Sequence, residues 1–161
     1  MGTILTMAVG NRVEDELYRE IILDHWRSPR HHGRVEPADV VVEGNNPLCG
    51  DEVLLTLRVA EGDIADIAFS GHGCSISRAS ASMMCEDVAG KSVDHANEMI
   101  RRFRTMMLDG GSTDGLGDLE ALQGVARIPV RVKCAVLPWN ALREGLERGG
   151  GTVTTEEGPE A

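Results

Sequence analysis

Three cysteines stand 25 and then 60 residues apart, each at a point where the chain turns or a helix starts. Cys49 lies in the turn-forming run Asn46-Pro47-Leu48-Cys49-Gly50-Asp51. Cys74 follows Gly71-His72-Gly73 ahead of a helix-like stretch, and Cys134 closes Arg131-Val132-Lys133-Cys134 shortly before Pro138. Such separations cannot build a local zinc knuckle. If these thiols share an ion, the fold must carry a turn, a helix start and a late helix to one point.

The pattern between the cysteines supplies such elements. Leu17, Ile21 and Ile22 recur at helical spacing between Glu14 and Arg27, with Glu14, Asp15 and Glu16 near the positive end, and Ser28-Pro29 stops the helix. The basic run Arg30-His31-His32-Gly33-Arg34 reads as an exposed loop, either solvated or a docking guide. Val40 to Val42 suggest a strand. Val53, Leu55, Leu57 and Val59 alternate with polar or opposite-face neighbours, Glu61-Gly62-Asp63 supplies a turn, and Ala65, Ile67 and Phe69 return on one side as the second arm of a hairpin. About three strands result, at the lower limit of independent stability unless helices cover them.

From Ser75 the period becomes helical, with Ile76, Ala79, Met83 and Val88 facing a core and the serines at 77, 80 and 82 small enough for close packing. Gly90 ends this segment, and Ser92 caps a helix whose stripe is Val93, Ala96, Ile100, Phe103 and Met107. After the break Asp109-Gly110-Gly111-Ser112 comes a loop, a short helix over Asp118 to Gln123, and a last helix opened by Pro129 that carries Cys134. Pro138 is expected to kink or restart it. The chain divides into a flexible extension (1–11), one domain (12–148) and a disordered acidic tail (149–161).

Composition narrows the function. The 161 residues, 42% of them apolar, suffice for one core. Sixteen basic and twenty-six acidic residues leave a formal charge of −10, which repels nucleic acid and anionic membranes. No stretch is long and apolar enough for a bilayer, and the first residues lack a secretory signal. The expected compartment is therefore the cytoplasm, where thiols stay reduced and serve as ligands, nucleophiles or buried side chains.

Zinc–thiolate bonds of about 2.3 Å put ligand sulfurs roughly 4 Å apart. Cys85 lies 11 residues beyond Cys74, which on a common helix is about 16 Å along the axis, so it cannot share Cys74's ion and reads as a buried core thiol. Asp51 has two readings: a turn cap, or a fourth ligand folded toward Cys49 by Gly50. A carboxylate would be the ligand most easily displaced by a softer donor. Three thiolates and a carboxylate around a divalent ion carry two excess negative charges, which calls for a nearby cation. Arg131, three residues before Cys134, and Lys133 are the candidates, with solvated surface charge as the alternative for each. His72 is either an alternate ligand or proton carrier, or an exposed loop residue. A thiolate released from such a site is a nucleophile able to take sulfur from a persulfide.

Four segments, in order, carry a resemblance: Leu17 to His25, Asn46 to Asp51, Gly73 to Ser77 and Arg131 to Cys134. The chain resembles, from Leu17 to Leu146, the SufU branch of the IscU/NifU-like iron–sulfur cluster assembly proteins. Lys133 stands where the scaffold branch has a histidine, and a protonated lysine cannot ligate. The stretch around Asp109 to Val125 resembles the SufU insertion. The resemblance implies an α+β fold, a small three-stranded antiparallel sheet with helices packed on it, and a metal site of Cys49, Asp51, Cys74 and Cys134. It further implies a zinc-dependent sulfurtransferase that takes persulfide sulfur from a SufS-type cysteine desulfurase and passes it to downstream cluster-assembly proteins. In that scheme a partner histidine displaces Cys49 from zinc, and Cys49 becomes the acceptor. The alternatives are a scaffold holding iron or an iron–sulfur cluster on the same thiolates, and a zinc-stabilised interaction module.

Overall fold

The computed structural model describes residues 2–155, with side chains from Asp15 onward. Helix α1 (Gly2–Arg27) leads into strands β1 (Val40–Asn46), β2 (Asp51–Ala60) and β3 (Asp63–His72). Helices α2 (Ser75–Val88) and α3 (Val93–Asp109) follow, then a 3-10 helix (Gly117–Arg127), helix α4 (Pro129–Arg148) and strand β4 (Gly150–Thr154). The helices and sheet make an α+β domain, with strand order β3-β2-β1-β4.

The first three strands form an antiparallel meander whose turns are set by local chemistry. Ala60 pairs with Asp63, leaving a two-residue loop in which Glu61 and Gly62 both have positive φ (54° and 81°), the conformation that matches strand twist in tight hairpins. Residues Val59 and Arg58 pair with Ile64 and Asp66, so Ala65 is the extra residue of a bulge. That bulge corrects the expected alternation: Ile64, not Ala65, shares the buried side with Ile67 and Phe69.

Strand β4 is the main departure from the expected sheet. It runs parallel to β1, pairing Val41 with Gly150 through Asn45 with Thr154, and makes four strands of the expected three. Residues 150–154, expected within a disordered tail, are thus ordered by main-chain pairing. Residues 156–161 lie outside the described residues. At the other end α1 is helical from Gly2, so residues 2–11, expected as a flexible extension, continue the first helix.

The core lies between the sheet and the helices. Val42, Leu55, Leu57, Ile67 and Phe69 of the sheet join Met84 of α2, Phe103 of α3, and Leu137, Trp139 and Leu142 of α4 in one buried cluster. Phe103 and Trp139 stack with ring centroids 4.7 Å apart. Gly145 allows α4 to approach β1, since a Cβ there would meet Val40 and Val42 at 2.9 Å. Helix α4 runs as one helix through Pro138, where a kink or a restart was expected. Ser80 secures it against α2: its Oγ donates to the Ala135 carbonyl at 2.6 Å and accepts from Trp139 Nε1 at 3.1 Å. Ser92 caps α3 as expected, accepting from the His95 amide at 3.0 Å.

The basic loop after α1 is fastened to the sheet edge. The His31 carbonyl accepts from the Phe69 amide (3.0 Å), the Gly33 amide donates to the Phe69 carbonyl (2.8 Å), and the Arg30 guanidinium meets Asp24 at 2.7 Å. Among the described residues, no helix is long and apolar enough to cross a membrane.

Candidate metal centre

The hairpin between β1 and β2 creates the first half of the site. Asn46 and Asp51 are its closing pair, and Pro47 to Gly50 form the loop. Asn46's carbonyl accepts from the amides of Cys49 (3.2 Å) and Gly50 (2.8 Å), while Gly50 takes a φ of 71° that turns the chain back into β2. Cys49 is thereby held at the loop tip, half-buried, and Asp51 at the strand start, 1% exposed.

Helices α2 and α4 bring the other two thiols. Cys74 is the N-cap residue of α2, but its side chain caps nothing; its amide donates to Asp51 Oδ1 at 2.8 Å. Cys134 sits in the second turn of α4, fully buried, with Sγ 3.5 Å from Cys49 Sγ. Ligand atoms of Cys49, Asp51 and Cys134 all lie within 4.8 Å of one another. Cys74 falls outside that mutually close group, although its Sγ is 3.9 Å from Asp51 Oδ2. No disulfide joins the four cysteines.

This donor set fits a thiophilic divalent ion. Tetrahedral zinc with sulfur at about 2.3 Å requires sulfurs just under 4 Å apart, close to the separation of Cys49 and Cys134. Without a cation the Cys134 thiol is pushed well above the ordinary cysteine range, first by burial, then by hydrogen bonds with Asp51 and Cys49 and by the Cys74 charge. A metal ion among these groups would supply the opposite field and favour thiolates. Arg131, exposed at the site's rim, feels the same concentration of negative charge. Its pKa is raised, first by Cys74, then by a hydrogen bond to Cys134 and its charge, and also by Cys49.

The remaining candidates separate cleanly. Lys133 lines a groove of about 780 Å³ together with Arg104, Asn140, Arg143 and Thr155. His72 is exposed at the end of β3, 3.8 Å from Glu52. Cys85 is fully buried in α2, and burial drives its thiol pKa far up.

Asn46 was missed by the sequence reading, which took it as a turn residue. It is fully buried, and its Nδ2 lies 3.5 Å from both Asp51 Oδ2 and Cys134 Sγ. Its place directly before the Pro-Leu-Cys-Gly-Asp turn was a possible signal, because a hairpin's closing residue faces the same end of the sheet as the loop. Gly73 also has a site role: a Cβ there would stand 2.8 Å from Asp51 Oδ1 and 2.6 Å from Ser77 Oγ. Apolar side chains rim the cluster, with Leu48, Ile128 and Val130 each about half exposed or more.

A meander sheet packed with helices, carrying reduced thiols and a carboxylate at its β1–β2 hairpin end, is the architecture of IscU/NifU-like proteins. The pattern of the NifU-like N terminal domain matches residues 17–148. The chain belongs to that family. It is 48% identical over 141 residues to the zinc-dependent sulfurtransferase SufU of Bacillus subtilis, covering 84% of this chain and 95% of that one. The iron–sulfur cluster assembly scaffold protein IscU of Streptococcus pyogenes is 43% identical over 136 residues, covering 83% and 85%. The crystal structure of FiSufU, from the thermophile Fervidobacterium islandicum, superposes with a TM-score of 0.75 at 40% identity, covering 79% of this chain and 94% of that one.

Proposed function

We propose that this protein is a zinc-dependent sulfurtransferase of iron–sulfur cluster assembly, accepting persulfide sulfur from a SufS-type cysteine desulfurase in the cytoplasm. The observation that carries the reading is the convergence of Cys49, Asp51 and Cys134, with Cys74 against Asp51, at an accessible end of the sheet. Similarity to the zinc-dependent SufU supports the choice of metal.

Cys49, Asp51, Cys74 and Cys134 would hold the ion, Cys74 joining by movement of its side chain. Bound zinc keeps the thiols deprotonated at neutral pH. Cys49 is the acceptor because it sits half-buried at the tip of a loop, whereas Cys134 is sealed in a helix and Cys74, also half-buried, is held at the start of α2. Its thiolate attacks the outer sulfur of the donor's cysteine persulfide; the new S–S bond forms as the old one breaks, and the donor cysteine leaves as a thiolate. Arg131 offers a positive charge to the sulfurs during this exchange. Leu48, Ile128 and Val130 provide apolar surface beside the loop for the approaching enzyme.

Zinc analysis together with persulfide mapping after incubation with the desulfurase tests the proposal. About one zinc per chain, a persulfide at Cys49 and acceleration of the desulfurase are expected; if Cys49→Ala accelerates it as well as wild type does, the reading fails. A scaffold function is the second reading, favoured by the 43% identity to an IscU scaffold protein. Anaerobic reconstitution that gave a stable, transferable coloured cluster would support it instead.

A further inference from the structure

The chain beyond α4 returns to the metal centre. Strand β4 lies along β1, and one residue past it the Thr155 amide donates to the Asn45 carbonyl at 3.1 Å. Thr155 Oγ1 then donates to Asn46 Oδ1 at 2.8 Å. Asn46 is the buried amide whose other end faces Asp51 and Cys134.

An amide has one acceptor end and one donor end, and the two sides of Asn46 make different demands. Asp51 and a deprotonated Cys134 are anionic acceptors, so only the NH2 end can face them favourably. Turned over, Oδ1 would meet a carboxylate oxygen and a sulfur of the same sign. Thr155 rewards the productive orientation by giving Oδ1 a hydrogen bond at the opposite end.

We infer that the β4–Thr155 segment is a clasp on the metal centre: Thr155 fixes the Asn46 amide, and Asn46 positions Asp51 and Cys134 for retention of the ion. Thr155 and Asn46 are positioning residues; neither meets sulfur in transit. The clasp rests on the metal-binding reading proposed above. It gives the C-terminal strand a role that its sheet pairing alone does not supply, and it places control of ion release more than 100 residues away in sequence from the Cys49 loop.

The test is the rate at which full-length, zinc-loaded protein gives up zinc to a chromogenic chelator in excess. Groups that orient metal ligands typically change affinity by about 10-fold or more. Thr155→Val, which keeps the shape but removes the donor, is expected to release zinc about tenfold faster, and Thr155→Ala to do likewise. Thr155→Ser restores the hydroxyl and should release at nearly the wild-type rate. Cobalt substituted for zinc should show altered absorption bands in Thr155→Val, while the melting temperature of the metal-free protein reads separately the cost of leaving the buried Asn46 Oδ1 without its donor. Release rates unchanged in Thr155→Val and Thr155→Ala would overturn the clasp and leave the metal reading intact. Faster release shared equally by Thr155→Ser would also overturn it, since the hydroxyl would not be the cause. Wild-type protein that bound no zinc would remove the metal reading itself.

Discussion

Gly73→Ala strikes the site without replacing a ligand. A Cβ at position 73 would lie 2.6 Å from Ser77 Oγ and 2.8 Å from Asp51 Oδ1, both inside contact distance. Ser77 can rotate its hydroxyl away. Asp51 has less freedom, because it is 1% exposed and Oδ1 is fixed by the Cys74 amide at 2.8 Å. The methyl therefore displaces the carboxylate and lengthens a hydrogen bond to a charged acceptor, which is worth about 1.5–3 kcal/mol. If that loss appears in metal binding, at about 1.4 kcal/mol per decade, zinc affinity falls by roughly 10- to 150-fold. Competition with a chelator of known affinity reads the dissociation constant, and thermal melting of the metal-free protein reports any general overpacking, which would cost about 1–3 kcal/mol. Zinc affinity within twofold of wild type in a folded Gly73→Ala protein would refute the argument that Gly73 leaves room for the Asp51 carboxylate.

Other expectations follow from buried groups. Ser80→Ala strands the Trp139 indole N–H and should destabilise the fold by about 1–3 kcal/mol, lowering the melting temperature by roughly 2–4 °C per kcal/mol in a chain of this size. His25 is buried, with Nδ1 2.7 Å from Ser82 Oγ; burial first, and then Arg30, lower its pKa, outweighing Glu86, Asp118 and Asp24. The unfolded chain then binds the proton more readily, so His25's contribution to stability is present above the unfolded value of 6.5 and is lost as pH falls below it. Denaturant titrations from pH 7.5 to 5.5 should show this loss, and His25→Gln should flatten it. Brief alkylation of native, metal-free protein should label Cys49 and Cys74 ahead of Cys134 and Cys85, as read by peptide mass spectrometry; early labelling of Cys85 would contradict its burial.

The residue order alone established a good deal. Strand alternation in Val53 to Val59, the turn at Glu61-Gly62, the Ser92 cap and the stripe through Ile100 and Phe103 are local signals, each written within a few residues by steric and hydrogen-bonding rules. The same locality marked Cys49, Asp51, Cys74 and Cys134 as candidates and set Cys85 apart by helical rise. Long-range pairing is different, because it depends on which surfaces meet. Strand β4 is a short glycine-rich run with little propensity of its own, ordered by the open edge of β1. Asn46 became part of the site only when Thr155 and Cys134 packed around it. Helical spacing put Arg131 on the face of Cys134 and Lys133 only beside it in sequence, whereas the groove that Lys133 lines and the charge of three thiols felt by Arg131 come from the folded chain. Residue types and spacing determined which side chains were capable of the chemistry; only the folded chain decided which of them face one another, since that choice is made by contacts between segments distant in sequence.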